Sequence, residues 1–318
     1  KANCSKTDLI YFKGTPAQMQ ISHENINSAT ETKVLGLVVD QKLTFKHQRE
    51  VAKSTLTRKW NMLLPYVRHG LCPQVTRTIL NTTILPKVLY NAFIWDTNED
   101  MSLHTCLKDL LGVPFNPTTE SLHRLANLPT IHIRYSNDTL NLCRLAIKGD
   151  TLDNILLLEK SKLQKKIRSH IITLLGRHFG ENPLSAEEFK KSKVKRLLKE
   201  ESNRIWTTHL KQGHNCEGLL SQLEASHLEK APIPLSLPRK TVGQLCSLMT
   251  GQTKLQAFLY KINQTYTPTC SCLIEDETVF HFISKCPNYS YLRYNIELNI
   301  EDHMSLVSYI EKSGRLCN

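Results

Sequence analysis

Four residues near the carboxyl end limit what this chain can fold into more than any other feature: Cys270-Ser271-Cys272, then His281, then Cys286. The spacing Cys-x-Cys-x8-His-x4-Cys gathers three thiols and an imidazole within 17 residues. Three thiolates and one imidazole complete a tetrahedron, the ligand set of a structural zinc (Zn2+) site that leaves no open position for catalysis. The residues between suit a closed loop. Pro268 gives an extended approach, and Glu275-Asp276-Glu277-Thr278 can begin a short helix that carries His281. On a continuous helix Cys286 would then lie about 140° away from His281. Pro287 pushes Cys286 out of the helical region and lets it turn back. The competing reading is three free thiols and a surface histidine that are neighbours only in sequence. The ten cysteines are otherwise scattered. That fits a reducing compartment better than a disulfide framework. Cys106, Cys143 and Cys246 fall in apolar helical stretches and read as small buried hydrophobes.

Upstream, the hydrophobic period changes twice. Thr7-Asp8-Leu9-Ile10-Tyr11-Phe12, ended by Gly14, and Val34-Leu35-Gly36-Leu37-Val38-Val39, ended by Asp40, read as strands. From about residue 47 a helical period carries Val51, Leu56, Trp60, Leu63 and Leu64 until Pro65 interrupts it. A second helix starts at Pro73, is kinked by Pro86 and continues from Val88 to Trp95. Shorter helices are predicted at 101–111, 118–126 and 131–148, with another helical block at 153–178. Glu187 to Trp206 reads as a strongly basic helix, and 228–240, with Pro232, Pro234 and Pro238, as an extended linker. Trp60, Tyr90, Phe93 and Trp95 fall at helical spacing among aliphatics, which favours core packing over base stacking.

Lys and Arg outnumber Asp and Glu by 41 to 29, a net charge of +12. A polyanionic partner is one reading of that excess and a solvated basic surface is the other. No apolar run approaches the roughly 18 residues that span a bilayer, and no signal peptide follows Lys1. The chain therefore reads as a fragment or a trimmed piece, with no membrane partner.

Two ordered stretches resemble the carboxy-terminal part of non-LTR (LINE-type) retrotransposon reverse transcriptases. In the first, Asn3 to Phe12 is similar to the Asn-x-x-Lys-Thr-Glu segment that follows the polymerase hairpin. Val34 to Asp40 with Leu43-Thr44-Phe45 is similar to the primer grip. Trp60, Leu85-Pro86, Leu89-Tyr90, Trp95, Leu111-Gly112-Val113-Pro114 and Thr118 to Leu122 are similar to the helical thumb and its extension. In the second, Leu248 to Gln252, Leu255 to Leu259, Cys270-Ser271-Cys272, Glu277 to His281 and Cys286-Pro287 resemble the family's zinc knuckle. Gln252 stands where that family often has His, and Leu273 where Gly is common.

The resemblance implies an α+β fold: residues 1–46 a palm remnant with primer-grip-like strands, 47–148 a mainly helical thumb-like domain, 149–240 a basic helical connector and 241–318 the zinc-knuckle region. It implies RNA and DNA partners (template–primer and target DNA), completion by the polymerase region absent here, and a nuclear or cytoplasmic setting. Lys6, Lys42, Lys46 and His47 then sit where the family meets primer or template, through phosphate contacts that carry no sequence information. Lys190, Lys193 and Arg196 in the basic helix are further backbone-binding candidates, though Glu187, Glu188, Glu200 and Glu201 also allow i,i+4 pairing there. Catalysis is not expected. Two-metal phosphoryl transfer needs carboxylates that hold Mg2+, and the chain has no Asp-Asp pair. Mg2+ therefore belongs only to an intact polymerase. The alternative is a degenerate or co-opted transposon remnant serving as a zinc-stabilised protein-interaction scaffold.

Overall fold

The computed structural model describes residues 7–12, 19–21, 24–26, 28–95, 101–148, 191–211, 218–221 and 232–316. These residues are mainly helical, with two small antiparallel sheets near the amino end, an α+β composition. β1 (Met19–Ile21) pairs with β2 (Glu24–Ile26), and β3 (Glu31–Val34) pairs with β4 (Leu37–Asp40). The helices are α1 (Lys46–Arg68), α2 (Pro73–Ile79), α3 (Leu85–Val88), α4 (Ala92–Trp95), α5 (His104–Leu111), α6 (Thr119–Leu125) and α7 (Ile131–Lys148). They continue with α8 (Lys191–Lys211), α9 (Arg239–Thr250), α10 (Gln256–Lys261), α11 (Ser290–Ile296) and α12 (His303–Ser313). The chain divides into two units, each assembled from separated stretches. One comprises Lys1–Lys59, Leu85–Asp100 and Tyr135–Lys195; the other comprises Trp60–Ile84, Met101–Arg134 and Arg196–Asn318.

Several sequence expectations need correction. The run Val34 to Val39 is a hairpin, because Leu35 (φ +48°) and Gly36 (φ +88°) form a two-residue reversal whose twist suits antiparallel strands. Thr7 to Phe12 contains no strand; Leu9 makes a single bridge to Ser28. Pro65 stays inside α1. It lies on the exposed last turn, where water can serve the carbonyl that loses its amide partner. Pro86 is accommodated by a widened π turn over Leu80–Ile84, which relieves the clash between its ring and the carbonyl four residues earlier. The helix beyond it breaks at Asn91, whose φ is +52°. Of the aromatic residues, Trp60 and Trp95 are buried but Tyr90 is half exposed. The predicted block at 153–178 lies outside the described residues, as does the side chain of Phe93.

In the first unit, Asp40 closes the loop after β4. Its carboxylate accepts from the amides of Lys42, Thr44 and Phe45 and from the Thr44 hydroxyl. Burial pulls the Asp40 pKa upward, but these donors outweigh it and hold the carboxyl below its ordinary value. The loop holds two left-handed residues, Leu43 (φ +53°) and Phe45 (φ +54°), so the cap stabilises a conformation that L-residues avoid. Both carboxylate oxygens are committed to the loop, a structural use of Asp40. Asp40→Ala is expected to cost about 0.5–2 kcal/mol in urea unfolding, the usual range for losing a capping side chain.

The second unit holds the candidate site. Gly243 in α9 approaches Gly112, the left-handed cap of α5, so closely that a Cβ on Gly243 would lie 2.3 Å from the Gly112 carbonyl oxygen. Arg239 anchors the same crossing by donating to the Asp109 carbonyl at 2.6 Å. Residues 232–238 are packed rather than a free linker. Ile233 and Leu235 are buried, and the Leu235 carbonyl accepts from the Gln74 amide at 3.0 Å. Arg239–Thr250 thereby becomes a fixed base for the carboxy-terminal region, with Val242, Leu245, Cys246, Leu248 and Met249 fully buried.

Candidate metal centre

From Pro268 onward the backbone folds into a tight knuckle. Thr269 and Asp276 form an antiparallel bridge, and the Cys270 amide donates to the Glu275 carbonyl at 2.9 Å. The Leu273 amide donates to the Cys270 carbonyl at 2.9 Å and turns the chain through Leu273 at φ +62°. This turn sets Cys270 and Cys272 on its inner side. Thr278 then caps a turn by accepting the His281 amide at 3.0 Å. A π turn, His281–Lys285, comes next, and the Cys286 amide reaches back to the His281 carbonyl at 2.8 Å. That widened turn, with Cys286 extended (φ −55°, ψ 121°) before Pro287, brings Cys286 to the same side as His281. The helix expected from Glu275 therefore starts later, and its acids have other roles.

The four side chains converge. The Sγ atoms of Cys270, Cys272 and Cys286 and a ring nitrogen of His281 all lie within 4.8 Å of one another. The Cys270 and Cys286 sulfurs are 3.7 Å apart, and Cys272 Sγ lies 3.3 Å from His281 Nε2. A disulfide would need about 2.05 Å. Sulfurs about 2.3 Å from one tetrahedral ion would stand about 3.8 Å apart, which matches the Cys270–Cys286 separation. Cys270, His281 and Cys286 are buried and Cys272 is partly exposed. The set could hold a metal such as zinc, with every tetrahedral position filled by protein.

The surroundings favour that chemistry. His281 Nδ1 faces Glu275 at 3.3 Å, leaving Nε2 toward the sulfurs. A carboxylate behind a ligating imidazole fixes its tautomer and strengthens it as a donor. The His281 contact, acting against burial and aided by Lys285, holds the Glu275 carboxyl below its ordinary range. At Cys272 burial pulls the thiol upward, but the amides of Ile274 and Glu275 and contacts with Cys270 and His281 bring it down to about 7. Burial pushes Cys286 the other way, to about 11 in the absence of an ion. Two other thiols behave as structural hydrophobes: Cys106 is raised to about 12 by burial, and Cys246 higher still for the same reason. The side chain of Cys143 lies outside the described residues.

Glu275 was legible only as a helix-starting acid, and Glu277 as that and as part of the segment resembling the knuckle. Glu277 is nearly fully buried and accepts a two-pronged pair from Arg315, Nε to Oε1 at 2.8 Å and Nη2 to Oε2 at 2.6 Å. It also accepts the Gln256 amide at 2.8 Å, so one carboxylate joins the knuckle, α10 and the carboxyl-terminal turn. Arg315 lies 38 residues away, and no local pattern signals that pairing. Leu273 is the weak point. At φ +62° its side chain costs about 1–2 kcal/mol, yet it is 83% exposed and packs little. Leu273→Gly is expected to raise stability by about 0.5–1 kcal/mol after the greater freedom of glycine in the unfolded chain is subtracted, read as a higher thermal midpoint.

The charged candidates are less concentrated. Lys42 and Lys46 are exposed beside the β4–α1 loop. His47 is exposed too, but its Nδ1 lies 2.9 Å from both carboxylate oxygens of Glu31. On α8, Arg196 is exposed with Lys195 and Lys199, and Glu200 lies 3.6 Å from Arg196. Lys193 belongs to the same helix, its side chain lying outside the described residues, as do Lys6 and Lys190 entirely. Val194, Leu197 and Leu198 are buried, so α8 is amphipathic, with a basic outer face. No helix among the described residues is long and apolar enough to cross a membrane. No protein-family profile, curated protein or solved structure matches the chain.

Proposed function

We propose that this chain is the nucleic-acid-binding carboxy-terminal part of a LINE-type retrotransposon reverse transcriptase, and that Cys270, Cys272, His281 and Cys286 hold a structural zinc ion. The observation that carries the reading is the convergence of those four side chains, in the motif order that resembles that family's knuckle, with Glu275 behind the histidine. A net charge of +12 supports a polyanionic partner. Bound zinc supplies a crosslink and no reaction: it ties the knuckle loop to the turn leading into α11. Lys42 and Lys46, and the outer face of α8 with Lys195, Arg196 and Lys199, then grip phosphates without reading sequence. The chain has no Asp-Asp pair of the kind that family uses to hold Mg2+, so in this reading it holds template–primer and target DNA rather than extending a primer.

The test is affinity for a template–primer duplex and for single-stranded RNA across a salt series. Binding through several phosphates is expected to weaken linearly in log–log form, with a slope near −0.9 per phosphate on duplex. No binding at low salt by folded, zinc-loaded protein would instead favour the protein-interaction scaffold. Primer extension by the chain alone would contradict the assignment of catalysis to the absent region.

A further inference from the structure

The four side chains that could hold zinc are unequal. Cys270 is 1% exposed, His281 2% and Cys286 0%, whereas Cys272 is partly exposed. His281 and Cys286 are joined by the π turn, whose Phe282 carbonyl accepts from the buried Tyr309 hydroxyl at 2.6 Å. Cys272 sits instead in a loop whose other residues, Ser271 and Leu273 to Asp276, are all exposed. That loop turns through Leu273 at φ +62°, a strained conformation for a leucine. A 3.3 Å bond from Asn288 to the Ser271 hydroxyl tethers it to the turn before α11. Cys272 is thus the sulfur that solvent reaches and the one on the more easily displaced segment. Thiols outside the knuckle compete poorly among the described residues. Cys106 and Cys246 are buried, and half-buried Cys72 donates its thiol to the Leu235 carbonyl at 3.3 Å.

A cysteine that ligates a metal does so as the thiolate, which is also the form that oxidants attack. Two further sulfurs stand within reach of the product: Cys270 and Cys286 lie within 4.8 Å of Cys272 and 3.7 Å from each other. Resting on the zinc site proposed above, we propose that the knuckle is an oxidant-operated release, entered at Cys272 and closed by a disulfide to Cys286. Hydrogen peroxide is the co-reactant. The Cys272 thiolate attacks one peroxide oxygen, the O–O bond breaks, and with one proton taken up the products are a sulfenic acid and water. The Cys286 thiolate then attacks the Cys272 sulfur. An S–S bond forms, the S–O bond breaks, and the departing hydroxide takes up a proton as a second water. The sulfurs together lose two electrons, and the peroxide gains them. Cys270 does not keep the bond, because a bridge to Cys272 would close across one residue, inside the turn where the Leu273 amide meets the Cys270 carbonyl at 2.9 Å. A strained disulfide of that kind passes to a neighbouring thiolate by exchange. Two of the four donors are then gone, and zinc leaves a site that needs all four.

The test uses the full zinc-loaded chain treated with hydrogen peroxide. A chromogenic chelator follows zinc release, a 1,3-diketone captures sulfenic acid, and peptide mapping locates the label and the disulfide. Cys272 should be labelled before Cys270 or Cys286, and at least about tenfold faster than any cysteine outside the knuckle. One zinc should be released for each Cys272–Cys286 disulfide formed, and a thiol reductant with added zinc should restore full occupancy. Cys72→Ser, which removes a thiol outside the knuckle, should release zinc at the wild-type rate. First labelling at another cysteine, release without that disulfide, slowed release in Cys72→Ser, or zinc that stays bound under peroxide overturns this proposal and leaves the zinc site standing. A folded wild-type chain that never takes up zinc overturns both.

Discussion

Cys286→Ser is expected to abolish stoichiometric metal binding and to unfold most of the region after Gly251, not merely to loosen one turn. The serine hydroxyl is a poor ligand, and losing one of four protein donors opens a site whose geometry is otherwise closed. Metal binding in small structural sites contributes about 10–16 kcal/mol of apparent free energy at neutral pH, and the site does not exist in the unfolded chain. The rest of the stretch is held by the Glu277–Arg315 pair and a small apolar cluster around Phe282 and Tyr309, each contributing less than the ion. The knuckle has a single bridge, Thr269 to Asp276, and α10 and α11 are short. Cys270 and Cys286 are buried side by side, so without an ion they would be two confined thiols with no strong partner. The expected readouts are a fall from one zinc per chain to near zero and proteolytic cleavage within 252–302. Protection should persist in α9, whose apolar face is buried independently of the ligands. A variant that keeps full protection would show that the ion is incidental to the fold.

Arg315→Ala is expected to cost about 3–5 kcal/mol, the usual penalty for leaving one member of a buried ion pair uncompensated. Glu277 is 2% exposed and keeps only the Gln256 amide once the guanidinium is gone. The damage should concentrate at the carboxyl end. There the Leu316 carbonyl accepts from Gln244 at 2.7 Å, and the Tyr309 hydroxyl donates to the Phe282 carbonyl at 2.6 Å. These bonds tie α12 and the final turn to α9 and to the π turn that carries His281. Because the pair couples two sites, the double variant Arg315→Ala/Glu277→Gln should be less destabilised than the sum of the single variants. Denaturant unfolding of the four proteins reads this directly, and strict additivity would mean that the pair contributes nothing.

These two effects differ in how far the sequence reveals them. The four clustered side chains are legible as a candidate metal set because of their residue types and spacing, and Pro287 marks where the chain must leave the helix. Amphipathic α1, α5, α6 and α7 are legible through their period, as is the basic face of α8. The Glu277–Arg315 pair is not, since two residues 38 apart are joined only by folding. The reversal at Leu35-Gly36 was hidden by an unbroken apolar run, because Leu35 takes a turn position that usually goes to Asn or Gly. Pro65 misleads in the opposite direction: a proline ends a helix in isolation, yet on an exposed last turn its missing donor costs little. The packing of 232–238 was masked by its prolines, which read as a linker until the buried Ile233 and Leu235 are seen. Lys42, Lys46 and Arg196 carry no partner-specific geometry of their own, so the phosphate-binding role proposed for them rests on charge and position.

The most direct test of the zinc-dependent nucleic-acid reading is the affinity of the folded chain for single-stranded RNA at one moderate salt concentration, measured before zinc chelation, after it and after zinc is restored. At least a tenfold loss is expected on chelation, since the region after Gly251 loses its fold with its ion, and recovery when zinc returns. Unchanged affinity after complete metal removal, or no affinity in the zinc-loaded protein, would contradict that reading.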